Sequence, residues 1–365
     1  MRAVNKIIHS EFKLNGVSLR YNDLGEKGYD LIKNGQEHER EMGRFFLDWT
    51  DSNDHLIVPT SGSTGSPKPV ALRKEHMVFS AQATGDYFQL RPKDSALLCL
   101  HPKFIAGKMM LLRAMVLGMD IKVVAPSSNP LAATPDNFDF CAMVPLQVYG
   151  AMNSIERLKT LLIGGAPLSQ KLRQQIQKKR TLIYETYGMT ETITHIAAKR
   201  INNGSNDLMG RTPFKTLAHC TVAKDERGCL VINAPQIGVD KLTTNDLVTL
   251  HSTTEFSWLG RFDNVVNSGG IKLIPEQIET KLIGLITDPF FVYGLPDEKL
   301  GKKLVLIIET DKQPSDILES LASRSALLKF EIPKEVIHTP RFKETESGKI
   351  DRTKTVHDIL GLQPQ

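Results

Sequence analysis

Residues 60–68 read Thr60-Ser61-Gly62-Ser63-Thr64-Gly65-Ser66-Pro67-Lys68. Seven small or hydroxylated residues, two of them glycine, stand ahead of a proline and a lysine. Such a loop offers unobstructed backbone N–H groups and hydroxyl donors, with one cation to meet phosphate charge. The apolar run Leu56-Ile57-Val58 before it reads as a strand. That puts the loop at a strand end, where α/β sheets bind ligands. It is not the Walker A loop, because the G-x-x-x-x-G-K-[ST] spacing is absent and Pro67 precedes the lysine. A bare Ser/Gly/Thr mixture is ordinarily a solvated turn; here the order of the residues is unusually specific.

From Leu56 onward short apolar runs alternate with helical patterns. Ala96-Leu97-Leu98-Cys99-Leu100, Ile121-Lys122-Val123-Val124 and Leu161-Leu162-Ile163 read as strands. Residues 107–117 and 169–178 read as helices. The alternation argues for parallel sheets with helical crossovers. Residues 1–55 are polar and irregular, with one helix expected from about residue 30 to 49. Between about residues 210 and 259 shorter strands and turns are expected, as in Gly228-Cys229-Leu230-Val231-Ile232. A smaller α+β unit begins near Asp263, with strands at Phe290-Phe291-Val292-Tyr293 and Leu304-Val305-Leu306-Ile307-Ile308. The 365 residues are too many for one ordinary core and fit two unequal domains.

Hydrophobic content of 41% and charged content of 24% are globular values and argue against a disordered chain. The net charge of +5 comes from 46 basic and 41 acidic residues spread along the chain. No basic block is dense enough for nucleic acid; Lys178-Lys179-Arg180 is the densest. A small positive excess suits polyanionic ligands. Cys99, Cys141, Cys220 and Cys229 have no C-x-x-C spacing and read as reduced core thiols. No signal-peptide pattern and no run of about 18 apolar residues is present, so a cytoplasmic protein without membrane insertion is expected.

The loop resembles the phosphate loop of the adenylate-forming superfamily (acyl-CoA synthetases, luciferases and peptide-synthetase adenylation domains), whose pattern is [ST]-S-G-[ST]-T-G-x-P-K. Further matches follow in the family's order. Tyr187-Gly188-Met189-Thr190-Glu191-Thr192 resembles Y-G-x-T-E, and Thr244-Asn245-Asp246 stands where the family has T-G-D. Gly260-Arg261-Phe262-Asp263 followed by Ser268-Gly269-Gly270 and Pro275 to Glu279 resembles G-R-x-D…G-G-x-x-I-x-P-x-x-I-E. Ser347-Gly348-Lys349-Ile350-Asp351-Arg352 resembles G-K-[IV]-x-R. The resemblance covers residues 56 to 355. It implies an α/β fold: a large N-terminal domain of mixed and parallel sheets flanked by helices (residues 1–262), and a small α+β C-terminal domain (residues 263–365) on a hinge. Members usually carry far more sequence before the phosphate loop. Whatever that segment supports is dispensed with here or supplied by a partner in a homo-oligomer.

The resemblance also implies roles. Ser61, Gly62, Ser63, Thr64, Gly65 and Lys68 would hold the β- and γ-phosphates of ATP. Glu191 would place Mg²⁺, a hard cation that takes carboxylate oxygens, and Thr190 would meet the α-phosphate. Tyr187 and Gly188 would receive adenine, with Gly164-Gly165-Ala166 letting backbone approach a flat ligand. Asp246 would accept the ribose hydroxyls, since a carboxylate can accept from both, and Arg261 would meet ribose or phosphate oxygens. Asn245 departs from the family's glycine. Lys349 would bridge acyl oxygen and phosphate while the adenylate forms. Asp263 would be the hinge, and Ser268, Gly269 and Gly270 would line the channel for the pantetheine arm of CoA.

The acid is addressed by residues 101–114. Most of the superfamily has an aromatic-His pair here; this chain has Phe104-Ile105, then Gly107 and, on a helix expected to bury one apolar face, Arg113. The A-G-x-x-x-x-x-R-A arrangement resembles that of 2-succinylbenzoate–CoA ligases of menaquinone synthesis, in which the arginine meets the substrate's second carboxylate. An ordinary surface arginine with a snorkelling stem is the alternative. Two other classes stay open: an adenylating enzyme that loads a carrier protein, and a non-catalytic nucleotide-binding module. Retention of Lys349, Glu191 and Asp246 disfavours the second.

Overall fold

The computed structural model describes residues 7–59, 68–203, 212–311, 321, 327–344 and 350–361. Five of the apolar runs form a parallel array. In spatial order the strands are Asp120–Val123, Ser95–Leu98, Phe138–Met143, Leu158–Ile163 and Leu182–Gly188. They read as near-continuous apolar runs because both faces of the array are covered. Leu97, Cys141, Leu161 and Ile163 enter one core cluster; Ala96, Leu98, Phe140 and Leu162 enter the other. All four cysteines are buried and unpaired, as their surroundings in sequence suggested.

Beyond Leu182–Gly188 the same sheet turns antiparallel, through His195–Arg200, Phe214–Thr216, Glu255–Arg261, Val239–Ser252, Cys229–Ala234 and Thr221–Lys224. At the opposite edge Lys13–Leu14 joins Asp120–Val123 in parallel and Val17–Ser18 closes the sheet. Mixed and parallel strands flanked by helices are what the fold reading required.

Three local expectations need correction. The single helix of residues 30–49 is two, Leu24–Asn34 and Glu37–Thr50. Gly35 and Gln36 take extended backbone between them, and the Gln36 N–H donates to Glu39 Oε2 at 2.8 Å to start the second helix. The stretch expected to hold only shorter strands contains the 14-residue Val239–Ser252. Its exposed Asp240, Lys241 and Thr243 masked it in the sequence, and register shifts against both neighbours let so long a strand bend. The strand holding Leu56 to Val58 is not part of the parallel array. His55–Pro59 pairs only with Pro69–Arg73, in a separate antiparallel ribbon that buries Leu56, Val58 and Leu72 and leaves Ile57 exposed.

A second sheet begins after Arg261. Val266–Ser268, Ile271–Leu273, Phe290–Asp297, Gly301–Glu309 and Glu335–Thr339 form it, and the helices Pro275–Leu282 and Arg352–Ile359 accompany it. The run Leu304 to Ile308 is apolar throughout because its alternate residues enter two different clusters. Leu304, Leu306 and Ile308 meet Ile278 and Leu282, while Val305 and Ile307 meet Phe291, Phe342 and Val356. No helix among the described residues is long and apolar enough to cross a membrane.

Phe291 is 1% exposed, packs against Phe342 at 5.0 Å between ring centroids, and carries Arg352 over its face at 5.5 Å. Phe291→Ala is expected to cost about 3–5 kcal/mol of unfolding free energy. Ile57→Ala, at a side chain that is 60% exposed, is expected to cost under about 0.5 kcal/mol. Urea unfolding of the two variants checks the contrast.

Candidate functional site

Gly164, Gly165, Ala166, Tyr187 and Gly188 gather at the carboxyl ends of two parallel strands. Leu158–Ile163 pairs in parallel with Leu182–Gly188, with Ile163 opposite Glu185. The chain therefore leaves both strands side by side, and Gly164-Gly165-Ala166 emerges beside Thr186 and Tyr187. A Cβ on Gly164 would lie 2.7 Å from Thr186 Oγ1 and would force that side chain to shift, and Gly165 has φ +86°, which favours glycine. Gly188 is equally constrained: a Cβ there would sit 2.4 Å from the Thr194 carbonyl oxygen.

Past Gly188 the chain makes the tight turn Thr190–Thr192. Thr192 Oγ1 accepts from the Met189 N–H at 3.0 Å and donates to the Thr194 carbonyl at 2.8 Å. Ile193 is forced to φ +65°, which a β-branched residue adopts only under constraint. The turn buries Thr190 and exposes Glu191, which makes no ion pair among the described residues. Strand Pro69–Arg73 packs against this turn. The Pro59–Pro69 pair closes the ribbon at the end from which the Ser/Gly/Thr loop leaves it. Ser61, Gly62, Ser63, Thr64 and Gly65 lie outside the described residues; Lys68 is exposed at the loop's end.

Asp246 is 6% exposed and is held from two sides. The Tyr187 hydroxyl donates to its Oδ2 at 2.7 Å, and the Trp258 indole donates to its Oδ1 at 3.0 Å. Arg261 lies 3.6 Å away and pairs with Asp263 at 3.0 Å. Burial, then the neighbouring Asp246 charge, push the Tyr187 phenol well above its ordinary range, so it remains a donor. Tyr187 packs edge-on to Phe256 at 5.2 Å, and Phe256 stacks on Phe214 at 5.5 Å. Asn245, which replaces the family's glycine, keeps the strand intact. Its amide donates to both Asp263 oxygens at 3.1 and 3.2 Å, and its carbonyl accepts from Arg227 at 3.0 Å. Sequence reasoning missed Trp258 and the Asn245–Asp263 bond. An aromatic N–H three residues before Arg261 was the only available signal for the first.

Arg113 lies on the helix Ile105–Leu117, which is buried on nearly every side rather than along one face. A crossover helix here is sandwiched between the sheet and helix Lys74–Phe88, so its whole circumference is apolar. Arg113 is 3% exposed. Nη2 donates to Thr194 Oγ1 at 2.7 Å, Nε has no partner, and no carboxylate of the described residues pairs with it. Burial pushes the guanidinium down to about 9, which leaves it charged at neutral pH. A snorkelling surface arginine is excluded. Gly107 admits close approach of the helix to the preceding loop, since a Cβ would meet the His101 carbonyl at 2.5 Å. Phe104 precedes the helix, half-buried, with its ring edge-on to His101 at 6.2 Å.

Gly269 and Gly270, at φ +57° and +83°, form the two-residue turn between Val266–Ser268 and Ile271–Leu273, where Ser268 pairs with Ile271. Two successive positive φ values explain the glycines on backbone grounds alone. Lys349 lies outside the described residues. Its neighbour Arg352 pairs with Glu279 at 2.9 Å and anchors the last helix to Pro275–Leu282. Among the described residues no cluster of three or more metal-ligating side chains occurs. Exposed Glu191 suits a Mg²⁺ that arrives on a triphosphate and keeps mostly phosphate and water oxygens.

A family profile described as AMP-binding enzyme matches residues 17–233. A probable 2-succinylbenzoate–CoA ligase of Mycobacterium tuberculosis is 27% identical, covering 94% of each chain. The crystal structure of an acyl-CoA synthetase (AMP-forming)/AMP-acid ligase II-like protein from Dyadobacter fermentans is 35% identical over 92% of this chain and 98% of its own, with a TM-score of 0.60. The o-succinylbenzoate CoA synthetase of Bacillus subtilis, solved with its acyl-adenylate intermediate, is 19% identical, covering 91% of this chain and 80% of its own, and shares the fold with a TM-score of 0.72.

His195, beside Arg113, bridges Thr194 Oγ1 at 3.3 Å and Thr84 Oγ1 at 3.4 Å. Burial, then Arg113 and His219, hold it well below its ordinary value of 6.5. It is neutral when folded, whereas the unfolded chain takes up a proton as pH falls through 6.5. Stability is therefore complete above that value and declines below it, by up to about 1.4 kcal/mol per pH unit for this group. Urea unfolding between pH 7.5 and 5.5 should show the decline, and His195→Asn should make it shallower. His38 and His219, also lowered by burial, supply the remaining slope.

Proposed function

The chain belongs to the AMP-binding enzyme family, and from that premise we propose that it is an AMP-forming acid–CoA ligase acting on a dicarboxylic aryl-keto acid, 2-succinylbenzoate, in menaquinone synthesis. The observation that carries the choice of acid is Arg113: a buried guanidinium without an anionic partner among the described residues. A protein gains by leaving such a charge uncompensated only if a ligand supplies the anion. The names of the Mycobacterium and Bacillus relatives agree with this reading.

In the first half-reaction a carboxylate oxygen of the acid attacks the α-phosphorus of ATP and pyrophosphate leaves. In the second the CoA thiol attacks the acyl carbon, forming the thioester and releasing AMP. The Ser61 to Lys68 loop would hold the β- and γ-phosphates, and Thr190 would meet the α-phosphate. Mg²⁺ bound with the triphosphate by Glu191 would neutralise phosphate charge. Tyr187 and Gly164 to Ala166 would bound the adenine, and Asp246 with Arg261 the ribose. Residues 1–262 and 263–365 would act as two domains. Asp263, tied to Arg261 and Asn245 in the present orientation, would be the hinge that exchanges Lys349 for Ser268-Gly269-Gly270 at the reacting centre. A reaction that consumes ATP and CoA would run in the cytoplasm.

If Lys349 serves only adenylation, Lys349→Ala should lose about 3 kcal/mol of transition-state stabilisation there, roughly a hundredfold in rate. It should still convert supplied acyl-adenylate to thioester. Equal loss in both half-reactions would remove the assignment.

The acid is tested by Arg113→Leu. With the dicarboxylic substrate the loss in kcat/KM should reach about 3–5 kcal/mol, because a carboxylate is then buried unpaired. An analogue without the distal carboxylate should be poor for the parent and lose little more in the variant. Parallel losses for both acids would sink the choice of acid and leave the ligase reading in place.

A further inference from the structure

Trp258 falls in none of the sequence motifs, yet it holds one oxygen of the buried Asp246 carboxylate while Tyr187 holds the other. We propose that Trp258 is a positioning residue for nucleotide selection, fixing the Asp246 carboxylate so that it accepts both hydroxyls of a ribose and discriminates against a deoxyribose. The proposal rests on the reading of ATP as a substrate. A carboxylate offers about four lone-pair directions, two on each oxygen. The indole N–H, a donor only, occupies one on Oδ1, and the Tyr187 hydroxyl occupies one on Oδ2. Each oxygen keeps one free direction, which is what two hydroxyls of a vicinal diol require.

The torsion that turns a carboxylate plane is broad, so the side chain does not set that plane unaided. Without the indole, Oδ1 would be left to Arg261, whose Nη1 is 3.6 Å away. The bonds that fix the plane run in a partly shielded place, since Asp246 is 6% exposed and Trp258 half-buried. The strand geometry is arranged for the contact. Asp246 is opposite Arg261 and Val248 opposite Trp258, with a register shift between Leu247 and Val248. A bulge at that point re-aims side chains across the pair. The site that selects the sugar is then built from three strands, with the indole three residues before the motif arginine Arg261 on the same strand.

Trp258→Phe keeps an aromatic ring and removes the donor. Equilibrium titration of parent and variant with Mg-ATP and with Mg-2′-deoxy-ATP reads the proposal without depending on turnover. Pyrophosphate exchange run alongside tests the ligase reading separately, and the affinity cycle decides the proposal whether or not exchange is seen. Trp258→Phe is expected to weaken ATP binding about tenfold and 2′-deoxy-ATP binding less than about twofold, so that the preference for ribose shrinks. Equal weakening for both nucleotides would overturn the proposal and reduce Trp258 to a packing residue. A second measurement needs no substitution. Trp49 is the only other tryptophan and is fully buried, so a nucleotide-induced change in emission reports on Trp258. ATP is expected to change the emission more than 2′-deoxy-ATP at saturation; identical changes would also overturn it.

Discussion

A carboxylate as deep as Asp246 has to be met by donors, and the way it is met shapes the large sheet. Tyr187 closes the parallel half, while Asp246 lies on Val239–Ser252, four strands further along the antiparallel half. In a flat sheet four spacings would separate them by about 19 Å. Their 2.7 Å hydrogen bond is made because the sheet curls, with the stacked Phe214 and Phe256 inside the curl. The same curl turns Trp258 and Arg261 toward the carboxyl ends of the parallel strands, where Gly164 and Gly165 emerge. Tyr187, Asp246, Trp258 and Arg261, from distant parts of the chain, thus meet in one place.

Buried cations are met in different ways. Lys74 is fully buried and donates to Asp51 Oδ1 at 2.7 Å. Arg173 meets Glu185 at 2.6 Å, and Arg352 meets Glu279 at 2.9 Å. Each of these cations has a carboxylate partner. Arg113 has a hydroxyl and an orphan Nε instead. Thr194, its hydrogen-bond partner among the described residues, follows the strained turn that exposes Glu191, so one short segment joins Arg113 to that turn.

Much of this was legible before any coordinates. The glycines at 164, 165, 188, 269 and 270 sit where backbone closeness or positive φ demands them, which is why they mark turns in any chain with this backbone. Arg113 was visible as a charge on an apolar helix, although the full burial of that helix was not. Periodicity reports the faces of an element, and a crossover helix covered on all sides has none to report. The long strand Val239–Ser252 escaped because six of its nine polar residues point to water. The break at Gly35-Gln36 escaped because the apolar pattern runs across it.

The order of the motifs, the alternation of strand and helix, and the small residues at strand ends were determined by sequence alone, since each depends on residues adjacent in the chain. Tertiary structure decided which of them meet. The ribbon from which the Ser/Gly/Thr loop leaves stands apart from the sheet yet packs against the turn Thr190–Thr192. Asn245, a departure from the motif, grips Asp263 18 positions away. Trp258 and Tyr187 converge on one carboxylate from separate strands. These contacts depend on curl, register and burial, quantities fixed by packing over the whole fold and written in no local stretch of residues.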